Sequence, residues 1–166
     1  MTPYQTLPSP PDTISAAKVL ARLVDGIGFR YQLATADFTQ KEIDFCPIEG
    51  SRNMMELLAH IYGLIIWTST AFKLPYTRKK LTEFDALRKE TLDVCQLFSE
   101  FLQNLSTEEV AQASVYLKRM DQHFSFWYLI NGPLADTLTH IGQINTWRRI
   151  SGNPVAQVSP FTGLSY

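Results

Sequence analysis

The stretch Asn131–Arg149, NGPLADTLTHIGQINTWRR, decides the fold, because it has helical periodicity yet places polar side chains where a packed helix would carry apolar ones. At about 100° per residue, Leu134, Leu138 and Ile141 fall on one stripe, and Asp136, His140, Gln143 and Trp147 fall on another. Asp136 and His140 are four residues apart, so on a helix their Cβ atoms lie roughly 5–6 Å from each other on one face. That separation lets a carboxylate and an imidazole hold one ion. Gly132–Pro133 either begins this helix or kinks a longer one, and Gly152 and Pro154 stop it. Arg148 and Arg149 near its end suit the helix macrodipole, with the gripping of a carboxylate substrate as the second choice.

A third ligand has to come from elsewhere. MMELLAHIYGLIIW, Met54–Trp67, is strongly apolar around His60, and a buried imidazole needs a partner, either a hydrogen bond or an ion. The helix is expected from about Arg52 to Ala71, with Ser51 or Asn53 near its cap. Met54, Leu58, Ile61 and Ile65 make one stripe, and Leu57, His60, Leu64 and Trp67 a second, so it is buried on two sides. Both helices thus combine a packing seam with a flank where polar ligands stand beside a tryptophan, as a pocket between helices requires. Two imidazoles and a carboxylate suit a borderline divalent ion such as Zn, Ni, Fe or Mn, and three protein ligands leave positions open for water or substrate. Gln143, one turn beyond His140, is placed to assist catalysis by orienting a ligand.

The rest of the chain reads as scaffold. Residues 1–11, with four prolines, form an extended arm on the surface, and Asp12 or Thr13 caps a helix from Ile14 to about Thr35. Gly26 and Gly28 weaken that helix, which points to close packing by a neighbour. TADFTQKEIDFCPIEGS, residues 35–51, is a crossover loop. A third helix opens at Thr82 with Asp85 in the capping-box position and carries Phe84, Leu87, Thr91, Val94, Cys95, Phe98, Phe101 and Leu105 inward. Ser106 to Glu109 is a second capping box that starts a short extra helix. Residues 113–126 are helical or extended, with Phe124, Phe126 and Trp127 as an aromatic plug at the bundle's edge. His123 is surface or edge packing. The tail, residues 153–166, keeps Val155, Val158, Phe161 and Tyr166 and is expected to pack on the bundle.

At 166 residues the chain fits a single domain, 1–166. Fifteen basic and 16 acidic residues leave a net charge of −1, which disfavours a nucleic-acid partner held by a phosphate-tracking basic face. MTPYQTLPSPP has no positive n-region or apolar run, and no segment is long and apolar enough for a membrane span, so the expected location is the cytoplasm. Cys46 and Cys95 lie far apart without a CxxC, which suggests neither a disulfide framework nor a thiolate zinc site. Cys95 sits on an apolar stripe as a small core residue, and Cys46 precedes Pro47 in a loop with no base near it in sequence.

A mid-helix His60 in the second apolar segment, then His140, Gly142, Gln143 and Ile144 followed by Arg148, Arg149, Gly152 and Pro154, resembles the DinB-like (YfiT-like) four-helix-bundle family over nearly the whole chain. The resemblance implies an all-α four-helix bundle with a long crossover loop and a short extra helix before helix four. It implies a divalent metal on one ligand from the second helix and two spaced i, i+4 on the fourth, here His60, Asp136 and His140. Where family members carry a third histidine this chain has Asp136, and an anionic ligand makes the ion less Lewis-acidic. By the same resemblance the expected activity is metal-dependent thiol S-transfer or a related detoxification, with a low-molecular-weight thiol as co-substrate and a small-molecule electrophile. The alternative is a non-catalytic, stress-associated binding bundle that lost the metal, its exposed helix face serving a homodimer.

Overall fold

The computed structural model describes residues 2–165, and the sequence calls on Met1 and Tyr166 lie outside them. Four long helices make the bundle: α1 (Ala16–Thr35), α3 (Met54–Ala71), α4 (Phe84–Leu102) and α7 (Ala135–Ser151). α1 packs on α4 and α7, and α3 packs on the same two, so the successive long helices α1 and α3 stand diagonally and their link must cross the bundle. This is the topology that the crossover loop demands. Among the described residues no helix is long and apolar enough to cross a membrane.

Most periodic positions are buried; Phe84, Phe101 and Leu105 are only partly so, and Leu105 lies beyond the end of α4. Leu20, Val24, Ile27, Tyr31 and Ala34 of α1 meet Leu87, Val94, Cys95 and Phe98 of α4, and both stripes of α3 contribute Met54, Leu57, Leu58, Ile61 and Ile65. Leu92 and Leu102 complete the core on α4. Burial pushes the Cys95 thiol up to about 12, as an inert core sulfur requires.

Several caps differ from expectation. α1 is capped by Ser15, whose hydroxyl accepts from the Lys18 N–H, because the chain enters the helix two residues later than a Thr13 cap, and three later than an Asp12 cap, would allow. Asn53 caps α3 in a reciprocal box with Glu56. The Thr82–Asp85 box does not form: Thr82 turns its hydroxyl to the Glu83 carboxylate, and α4 starts at Phe84 without a side-chain cap. Its entry is instead pinned through the link before it, where the Tyr62 and Tyr76 hydroxyls meet at 3.0 Å, Tyr76 donates to Glu90, and Lys79 pairs with Glu90 at 2.7 Å. The Ser106–Glu109 box forms and starts α5 (Thr107–Ala111).

The crossover contains a helical turn that its polar composition hid, α2 (Gln40–Ile43), opened by Thr39 and Glu42. The stretch 113–126 resolves as a hairpin of β1 (Ser114–Leu117) and β2 (Gln122–Ser125), with Val115 opposite Phe124 and a left-handed Asp121 at the turn. His123 is exposed on it, its ring against Tyr116. Trp127 is exposed and does not plug the bundle, whereas Phe126 packs edge-on to Phe72.

The arm does more than lie on the surface. Tyr4 is buried, its hydroxyl donates to Asp25 at 3.2 Å, and a Cβ built on Gly28 would stand 2.4 Å from the Tyr4 ring. Gly28 is therefore the seat of a side chain from the arm, which explains a glycine in mid-helix. At the other end Val158 bridges to Ser165, Ser159 is buried, and Phe161 is exposed.

Candidate metal centre

α7 does not begin at Pro133. A helical turn, α6 (Phe126–Leu129), runs into a π-helical turn over Ile130–Leu134 that contains Pro133, and this continues into α7. Pro133 has no N–H to give, so the backbone widens by one residue there and resumes α-geometry at Ala135, immediately before Asp136. The far end is fixed by Arg148, which is 3% exposed. Its guanidinium donates to the carbonyls of Ala34 and Ala36 and to both oxygens offered by Asn153. Arg148 thus caps the C-terminus of α1, its buried guanidinium taken up by backbone carbonyls and the Asn153 side-chain oxygen. Gly152, at φ 89°, ends the helix.

Between those anchors three side chains converge. His60 Nε2 lies 3.6 Å from Asp136 Oδ2, and His140 Nε2 lies 3.3 Å from Asp136 Oδ1, so the carboxylate offers one oxygen toward each imidazole. One donor atom from each residue lies within 4.8 Å of the others, and the two rings meet edge to face with centroids 4.8 Å apart. Nitrogen and oxygen donors bound tetrahedrally at about 2.0–2.1 Å sit roughly 3.4 Å apart; each histidine approaches a different Asp136 oxygen near that spacing, while the three-atom set spans up to 4.8 Å.

The hydrogen bonding prepares the nitrogens. His140 Nδ1 is 2.8 Å from Gln143 Oε1, a carbonyl oxygen that accepts, and in the neutral tautomer with its proton on Nδ1 this contact turns Nε2 toward Asp136 as the free donor. Burial lowers the His60 pKa, with the neighbouring Arg52 and His140 adding to the effect against the bond and charge of Asp136, and this favours the neutral imidazole that a metal requires. His140 is 10% exposed, His60 31% and Asp136 45%, so the centre is closed on the α3–α7 side and open at the carboxylate.

A cavity of about 570 Å³ reaches the centre through Asp136. Its walls come from α3, the hairpin, α6, the π turn and the start of α7, among them Leu64, Trp67, Leu117, Phe124 and Tyr128. Trp67 is the tryptophan beside the ligands; Trp147 instead packs on Phe45 of the crossover, with ring centroids 5.9 Å apart. The hairpin's share of this wall was missed in the sequence, where the alternation of Val115 and Leu117 with Tyr116 was the available signal. A cavity of equal volume on another flank of α7, lined by Leu23, Leu138 and Asn145, contains none of the three ligand candidates.

No family model and no curated protein matches the sequence. Among solved structures the chain is similar to YfiT from Bacillus subtilis, described as a probable metal-dependent hydrolase with an unusual four-helix bundle topology. The TM-score is 0.61 at 14% identity, over 87% of this chain and 94% of that one. The fold is that of YfiT. Within this YfiT-like bundle the resemblance read from the sequence is met at the level of architecture, and the His60, Asp136 and His140 cluster has donors that could hold an ion.

Proposed function

We propose that the protein is a divalent-metal-dependent enzyme in which His60, Asp136 and His140 are the ligands and Gln143 assists by fixing the His140 tautomer. The observation that carries this is the convergence of a carboxylate and two imidazoles from two helices, with one donor atom of each within 4.8 Å of the others. An ion held there supplies Lewis acidity, which lowers the pKa of a thiol or a water in an open position. The residues do the remainder. α3 and α7 fix the donors, the apolar wall around Trp67 excludes bulk water from one side, and the exposed edge of Asp136 leaves the approach for a nucleophile and its electrophile.

The nucleophile of first choice is a low-molecular-weight thiol, as the sequence resemblance favours, attacking a small electrophile; the description of YfiT as a hydrolase makes water the competitor. Because Asp136 is anionic, the thiol is expected to be less acidified than at a three-histidine centre. The test is proton release when cysteine or glutathione is added to zinc-loaded protein below the pH at which the free thiol ionises. Release that depends on His60 and His140 supports thiol transfer. Zinc-dependent ester cleavage without any thiol-linked proton release would replace it with hydrolysis.

A further inference from the structure

The cavity that opens on Asp136 has a composition of its own. Trp67 and Phe124 meet edge to face at 6.3 Å, and Phe124 and Tyr128 at 5.5 Å, so three rings from α3, β2 and α6 form a continuous aromatic wall. Met120 at the hairpin turn adds an adaptable thioether. Arg119 is the only cationic residue among those lining the cavity, and among the described residues it has no carboxylate partner within salt-bridge distance. The only acidic lining residue is Asp136, already turned toward the two histidines.

We propose that this cavity is the substrate pocket and that it takes a flat aromatic or similarly apolar small molecule bearing one anionic group, the rings of Trp67, Phe124 and Tyr128 holding the body and Arg119 the anion. The inference rests on the metal-dependent function above. A volume of about 570 Å³ falls within the range of small-molecule sites. Ring edges and faces at these separations suit another aromatic plane, and a guanidinium without a partner at the mouth suits a carboxylate or sulfonate. The electrophilic end of such a molecule then lies toward Asp136, because the anionic end is repelled by that carboxylate.

The test uses two fluorescent probes on the full-length protein, anilinonaphthalene sulfonate and the uncharged phenylnaphthylamine. Both are expected to bind with one-to-one stoichiometry. Trp67→Ala should weaken both by about tenfold, and Tyr128→Ala, at an exposed position that does not threaten folding, should act the same way. Arg119→Ala should weaken the sulfonate by about fivefold and leave the uncharged probe unchanged. Probe affinities insensitive to Trp67 and Tyr128 overturn the pocket. An Arg119 variant that affects neither probe, or both equally, overturns the anionic class. Metal content is measured on the same samples: protein that holds metal but neither probe overturns this inference alone, and protein that binds both probes but no metal overturns the function on which it rests.

Discussion

Gln143 sets the chemistry of His140 without touching the centre itself. Its Oε1 lies 2.8 Å from Nδ1, placed to hold the ring with Nε2 toward a metal, and partners of this kind are worth about 10–100-fold in metal affinity. Gln143→Ala should therefore weaken zinc by that factor in a competition titration, with folding unchanged; unaltered affinity would leave Gln143 as a surface residue. A second carboxylate, Glu42, has a structural task. Burial alone would raise its pKa, but bonds from the Thr39 hydroxyl and N–H, Asn153 and Ser151 outweigh it and bring the value from the ordinary 4.5 to about 2. A depressed folded-state pKa contributes stability above pH 4.5, which is lost as the pH falls toward 2. The shift corresponds to about 3 kcal/mol. Urea denaturation across that window should show wild-type stability falling while Glu42→Gln, less stable at pH 7 by about 1–3 kcal/mol, changes much less; parallel curves would remove Glu42 from the acid dependence.

The elements show what periodicity can and cannot reveal. α1, α3, α4 and α7 were legible because Leu20, Val24 and Ile27, or Leu58, Ile61 and Ile65, repeat at three and four residues, and burial acts on that repeat directly. The Asp136–His140 pair was legible for the same reason, since one helix fixes its spacing. The hairpin was not, because four-residue strands give too little alternation to tell from a helical turn, and β2 turns only Phe124 inward. α2 was hidden because its stability lies in the bonds Glu42 makes to Thr39, Ser151 and Asn153, the last two more than a hundred residues away. The arm was misplaced because nothing local announces that Tyr4 belongs over Gly28. Filling that seat tests the pairing: Gly28→Ala should displace the ring and cost about 1–3 kcal/mol by thermal or urea unfolding, despite alanine's better helix propensity. A stabilised variant would mean that the arm does not dock there.

At the scale of the molecule, the crossover between α1 and α3 brings α3 beside α7, and only that neighbourhood lets His60 meet Asp136 and His140. The diagonal arrangement is thus what converts two ordinary buried helices into a ligand set, and the hairpin and π turn add the wall that faces it. An ion bound there would join α3 to α7 across the seam opposite α1 and α4, coupling metal binding to the integrity of the bundle. The most direct test is elemental analysis of the protein purified without chelators, beside Asp136→Ala. The wild type should carry about one equivalent of a divalent transition metal and the variant markedly less. Less than roughly a tenth of an equivalent in the wild type, after zinc has been offered in excess, would contradict the account, as would equal occupancy in the two proteins.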